Sequence, residues 1–104
     1  MPLVFQIAQK LHGVSSPQSD RARDLIDLQL ILANESIDLA AVREVCERLF
    51  KYRKCQPWPT AIEKGEMWNE LYDAQKGALN VLPTCDEAVV WANDLIAQIA
   101  KAKD

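Results

Sequence analysis

The chain has 104 residues, 49% hydrophobic and 26% charged, with three glycines and five prolines, a balance that excludes a disordered or fibrous chain and leaves room for one small core. A formal charge of -3 excludes whole-molecule attraction to nucleic acid as the main binding force and leaves only a local basic patch for that role. No apolar run approaches the roughly 18 residues of a membrane span, and in the opening segment Lys10 follows the apolar residues, the wrong order for a secretory signal, so a cytoplasmic protein is expected.

In residues 3–12, Leu3, Val4, Ile7, Ala8 and Leu11 recur with a period near 3.6 and write one face of a helix, which Gly13 is expected to stop. The cap-rich stretch that follows can open a second helix at Ser16-Pro17 or at Ser19-Asp20, running to about Ala33. After a turn at residues 34–36, Ser36 or Asp38 caps a third helix with the stripe Leu39, Val42, Cys46, Leu49 and Phe50. Residues 55–65 show no helical or strand period, and Trp58 between two prolines reads as the anchor of an ordered connection.

A fourth helix carries Met67, Trp68, Leu71 and Tyr72 and closes near Gly77, and a fifth opens at a Thr84 to Glu87 capping box with the stripe Ala88, Trp91, Ala92, Leu95 and Ile99. No segment alternates in the manner of a strand, no repeat has a fixed period and no linker interrupts the chain. The expectation is therefore one all-α domain over residues 1–104, a bundle of about five helices without a sheet, with a core of Leu11, Leu28, Leu32, Leu49, Trp68, Trp91 and Leu95.

Cys46, Cys55 and Cys85 are odd in number and accompanied by a single histidine, so neither a disulfide framework nor a metal site is indicated. The second helix is the informative place. Asp20, Asp24 and Asp27 follow i, i+4, i+7 spacing and share a stripe beside Leu25, Leu28 and Leu32, so their carboxylates border the core and need a cation such as Lys10 or an arginine. A plain helical ion pair between Arg23 and Asp27 meets the same pattern. Lys10, one turn after Ile7, can lay its stem on apolar surface and either bind phosphate or pair with an acid. His12 near the helix end reads as a cap or surface residue. The run from Arg48 through Lys51, Arg53 and Lys54, interleaved with Phe50 and Tyr52, can grip RNA or serve only to complement a helix C-terminus.

Gln6-Ile7-Ala8-Gln9-Lys10-Leu11-His12, then Arg21-x-Arg23-Asp24-Leu25-x-Asp27-Leu28, Phe50-x-x-Arg53, Pro57 and Trp68-x-x-x-Tyr72 resemble, in order and spacing, the C-terminal helical half of the AbiEii/AbiGii nucleotidyltransferase-like toxins of bacterial abortive-infection and toxin–antitoxin systems. Gln9 and Arg23 depart from the Glu and Lys usual there. The resemblance implies that Lys10 contacts nucleotide phosphates with Arg21 and Arg23 flanking it, and that Asp24 or Asp27 assists the attacking hydroxyl. In that family a Gly-Ser motif and paired metal-ligand aspartates belong to an N-terminal sheet domain, which these 104 residues do not offer.

Three functions follow as expectations. The chain is a fragment or split half that needs a sheet-bearing partner, Mg²⁺ and a nucleoside triphosphate; or a non-catalytic module binding an antitoxin or tRNA; or a folded remnant of a truncated gene. The first requires Lys10, Arg21, Asp24 and Asp27 to meet in one accessible region between the first two helices. A helical half left without its sheet is also expected to expose an apolar face and form a homodimer.

Overall fold

The stripe of Ile7, Ala8 and Leu11 does form a helix, α1, over Leu3–Val14, followed by α2 (Arg23–Asn34), α3 (Leu39–Arg53), α4 (Trp68–Lys76) and α5 (Cys85–Lys101). The computed structural model describes residues 2–16, 21–54 and 57–102, and among these there is no strand. The chain is all-α, and its radius of gyration of 13.0 Å is that of one compact domain of about 100 residues.

Local chemistry explains several of the helix ends. Of the two candidate caps for α3, Asp38 takes the role, its carboxylate accepting from the amides of Ala40 (3.0 Å) and Ala41 (3.4 Å). Thr84 Oγ1 accepts from the Glu87 amide at 3.2 Å and opens α5. Gly77, at φ 47°, closes α4 in a conformation that suits glycine. Three boundaries differ from expectation: Met67, expected within α4, precedes it at φ 68° and is exposed, and two others lie in the first half of the chain. Gly13 does not stop α1, which continues to Val14 while the hydroxyls of Ser15 and Ser16 donate to the carbonyls of Leu11 and His12. The first helical residue of α2 is Arg23, preceded by Ala22 with no side-chain cap; of the expected openings there, Pro17, Ser19 and Asp20 lie outside the described residues, as does Cys55.

Helix α1 packs against α3 and α2, α2 reaches α4 and α5, and α5 closes on α3 and α4. Leu11, Leu28, Trp68 and Leu95 are buried, together with Ile7, Leu25, Phe50, Tyr72 and Ile99. Leu32, Leu49 and Trp91, expected in the core, are only partly buried. Each lies on the flank of its stripe, where a surface recess meets the bundle: Leu32 and Trp91 line one beside Gln29 and Leu82, and Leu49 another beside Phe5 and Tyr52.

Two polar devices fix how the helices meet. Gln29 on α2 donates to the Leu25 carbonyl and the Tyr72 hydroxyl and accepts from the Leu82 amide at 2.7 Å, while Tyr72 donates to the Leu82 carbonyl at 2.7 Å. This satisfied network ties α2, α4 and the approach to α5. The side-chain amide of Asn93 pairs with both main-chain groups of Ile62, at 2.7 and 3.1 Å, and fastens the connection after α3 to α5; Trp58 adds a tilted contact with Phe50 at 5.3 Å. Among the described residues no helix is long and apolar enough to cross a membrane.

Candidate functional site

The seam between the C-terminal half of α1 and the start of α2 gathers charge. Lys10 projects across it, with its ammonium 3.0 Å from Asp27 Oδ2 and 3.7 Å from Asp24 Oδ1. Arg21, just ahead of α2, brings its Nε to 2.9 Å from Asp24 Oδ2. The i, i+3 spacing of Asp24 and Asp27 places both carboxylates on the side of α2 that faces α1. Lys10, Arg21, Asp24 and Asp27 are therefore brought together. Arg23 joins them only through Asp27, in the i, i+4 ion pair the spacing allowed (Nε 3.8 Å from Oδ1), while its guanidinium also donates to Gln75 of α4 at 2.9 Å, away from α1.

The two carboxylates differ in setting. Asp24 is 4% exposed, and burial pushes its carboxyl above the usual range, with Arg21 and then Lys10 pulling the other way and Asp27 adding to the rise. The side chain of Asp27 is 26% exposed and open to a partner from solvent.

Beside this cluster lies a recess of about 240 Å³ lined by Gln6, Gln9, Lys10, Gly13, Arg21 and Arg53. Among the described residues, three cations and two amides supply many N–H donors and no carboxylate, a lining suited to an oxyanion. Gly13, the penultimate residue of α1, borders this recess. A Cβ at this position would stand 3.1 Å from Arg21 Cζ and Nε, so the bare backbone gives the guanidinium its place against α1.

The basic end of α3 is split among three recesses. Arg53 joins Lys10 and Arg21; Arg48 lines a groove with Phe5, Val45, Leu49 and Tyr52; Lys51 and Lys54 lie beside Glu47, Pro57 and Trp58. His12, expected as a cap or surface residue, is 5% exposed. Its ring packs edge-on against Phe50 with centroids 4.9 Å apart, and its Nδ1 lies 3.4 Å from the Arg53 guanidinium. Burial, and secondarily the charge of Arg53, hold its pKa below the usual value. Long-range packing of α3 on α1 decides this burial, so it has no local signature. Arg53 did have one: three residues after Phe50, it continues the buried stripe of α3 by a turn and so borders the core.

The chain matches the family model for the nucleotidyl transferase AbiEii toxin, a type IV toxin–antitoxin system, over residues 1–94. It belongs to this family. No curated protein matches it. The AbiEii match spans every residue of the cluster and the recess, from Gln6 to Arg53. The divalent ion that the family's chemistry implies finds no fitting donor set here: among the described residues no three His, Cys, Asp or Glu side chains gather as ligands, and Asp24 and Asp27 each face a cation.

Proposed function

We propose that this chain supplies the phosphate-binding and acceptor-activating helices of an AbiEii-type nucleotidyltransferase. The metal-binding sheet comes from elsewhere, either on the same polypeptide or on a separate subunit. The observation that carries this reading is the position of Lys10, held at 3.0 Å by Asp27 on the rim of a recess it shares with Arg21 and Arg53.

In this reading Lys10, Arg21 and Arg53 receive the phosphates of a nucleoside triphosphate. Asp27 takes the proton of an acceptor hydroxyl as its oxygen bonds to the α-phosphorus, and the bond from that phosphorus to the β-phosphate oxygen breaks to release diphosphate. Asp27 is favoured over Asp24 because it is the carboxylate an acceptor can reach; Asp24, buried between Arg21 and Lys10, orients both cations. Among the described residues no metal-ligand set gathers; a divalent ion carried by the sheet part would supply the remaining neutralisation of the leaving group.

Membership of a toxin–antitoxin family points to an antitoxin as a partner. We further assign a tRNA-like acceptor to the basic end of α3, and self-association to the groove where Phe5 (45% exposed) and Tyr52 (85% exposed) leave apolar surface open.

The test is transfer of label from each α-labelled nucleoside triphosphate to tRNA or protein, with Mg²⁺ or Mn²⁺, by the 104-residue chain alone and after addition of a sheet-bearing AbiEii half. Transfer is expected only in the mixture, and Lys10→Ala or Asp27→Asn abolishes it. Transfer by the chain alone that is lost in Lys10→Ala overturns the need for a second part. No nucleotide binding in either case leaves the chain an interaction module.

A further inference from the structure

Arg53 is the last residue of α3 and is exposed; a phosphate-binding role requires that its long side chain be held in one orientation. Across the α1–α3 seam its terminal nitrogen meets His12 Nδ1 at 3.4 Å. An arginine has only N–H donors, so a hydrogen bond in this pair requires Nδ1 to be the acceptor, which puts the single proton of a neutral ring on Nε2, itself a buried atom. The ring itself is fixed, at 5% exposure and with its edge contact to Phe50. The main-chain carbonyl of His12 is engaged separately, by the hydroxyls of Ser15 and Ser16.

We infer that His12 is a positioning residue, whose neutral imidazole accepts from Arg53 through Nδ1 and holds that guanidinium at the recess shared with Lys10 and Arg21. The phosphate affinity contributed by Arg53 then depends on His12. This role rests on the phosphate-binding reading of the recess. Chemistry favours an imidazole over a carboxylate at this place: a neutral acceptor orients the arginine without presenting a negative charge to the incoming phosphate, whereas Lys10 and Arg21 are oriented by Asp27 and Asp24. Burial and the nearby guanidinium both disfavour the imidazolium, which keeps the Nδ1 lone pair in place at neutral pH.

The experiment measures binding of inorganic triphosphate by calorimetry to the unaltered chain and to His12→Leu, His12→Asn, Arg53→Ala and His12→Leu combined with Arg53→Ala, and records the imidazole ¹⁵N shifts of His12. Arg53→Ala is expected to weaken binding about tenfold, the loss of one charge-assisted hydrogen bond. His12→Leu weakens it by a similar factor, but adds nothing in the Arg53→Ala background. His12→Asn, whose carbonyl oxygen takes the place of Nδ1, stays within about threefold of the unaltered chain. The ¹⁵N shifts report a neutral ring protonated on Nε2, and they move in Arg53→Ala. A His12→Leu loss that multiplies with the Arg53→Ala loss assigns His12 a merely structural role and overturns the inference, as does a ring protonated on Nδ1. If His12→Leu does not fold, His12→Asn and the ring shifts still decide. Failure of the unaltered chain to bind triphosphate overturns the phosphate reading of the recess, and is distinguished from failure of the His12 role by the ring shifts.

Discussion

Lys10 and Asp27, seventeen residues apart, meet at 3.0 Å across the α1–α2 seam with side chains 24% and 26% exposed. A pair at this depth is screened less than one on the surface, and the same ammonium also faces the buried Asp24 at 3.7 Å. Lys10→Met keeps the apolar stem and removes the charge. It is expected to destabilise the fold by about 1–2 kcal/mol, chiefly by leaving Asp24 and Asp27 short of a cation, and urea denaturation measures this. In a double-mutant cycle Asp27→Asn costs less in the Lys10→Met background than alone; equal costs in both show that the pair is not coupled.

Gly13 separates stability from binding. It sits inside α1, where alanine is a better helix former by about 0.5–1 kcal/mol. The added methyl stands at 3.1–3.2 Å from the Arg21 guanidinium, but that side chain is 55% exposed and can swing outward. Gly13→Ala is therefore expected to raise the thermal midpoint slightly while weakening triphosphate binding several-fold. A variant that is destabilised, or that binds as the unaltered chain does, shows that Arg21 does not need this space.

These residues mark the limit of what the sequence makes legible. Thr84 and Asp38 cap their helices because a cap is a local event, and the stripes of α1 and α5 are readable because burial follows a local period. The meeting of Lys10 with Asp24 and Asp27 could be anticipated from carboxylates bordering a core, which demand a cation. The burial of His12, by contrast, depends on Phe50, thirty-eight residues later, and the room Gly13 gives to Arg21 depends on a packing angle between helices. Trp91 and Leu32 follow the right period but lie beside a recess of about 440 Å³, a feature of the assembled surface. The split of the basic stretch at the end of α3 has the same origin, since the helix turns its cations toward different neighbours.

Tyr72 carries the most demanding polar contact of the core. Its hydroxyl accepts from Gln29 at 3.0 Å and donates to the Leu82 carbonyl at 2.7 Å, with the residue fully buried. Tyr72→Phe leaves that carbonyl without this donor and the Gln29 amide with only the Leu25 carbonyl. The expected loss is about 1–2 kcal/mol with the helical circular dichroism spectrum unchanged. Gln29→Leu costs at least as much, because it also strips the Leu82 amide of its acceptor. A neutral Tyr72→Phe exchange means that water replaces the hydroxyl and the network is not closed.

The last prediction is the pH dependence contributed by Asp24. Its folded-state pKa lies above the ordinary value of 3.8 because burial outweighs the pull of Arg21 and Lys10. The folded chain therefore holds this proton more tightly than the unfolded chain. The favourable contribution of the protonated form is fully present below the unfolded value and is lost as pH rises through the folded one. At neutrality the ionised Asp24 thus opposes folding relative to its protonated form, even though it makes two ion-pair contacts. Asp24→Asn removes this titration. The stability of the unaltered chain relative to Asp24→Asn is expected to fall as pH is raised from below 3.8 toward neutrality, and the exchange itself to cost less at neutral pH than in acid. Denaturation series on both proteins across that range measure the difference. A difference that grows with pH means that Arg21 and Lys10 outweigh burial, and that Asp24 is a stabilising anion whose retention needs no functional reason.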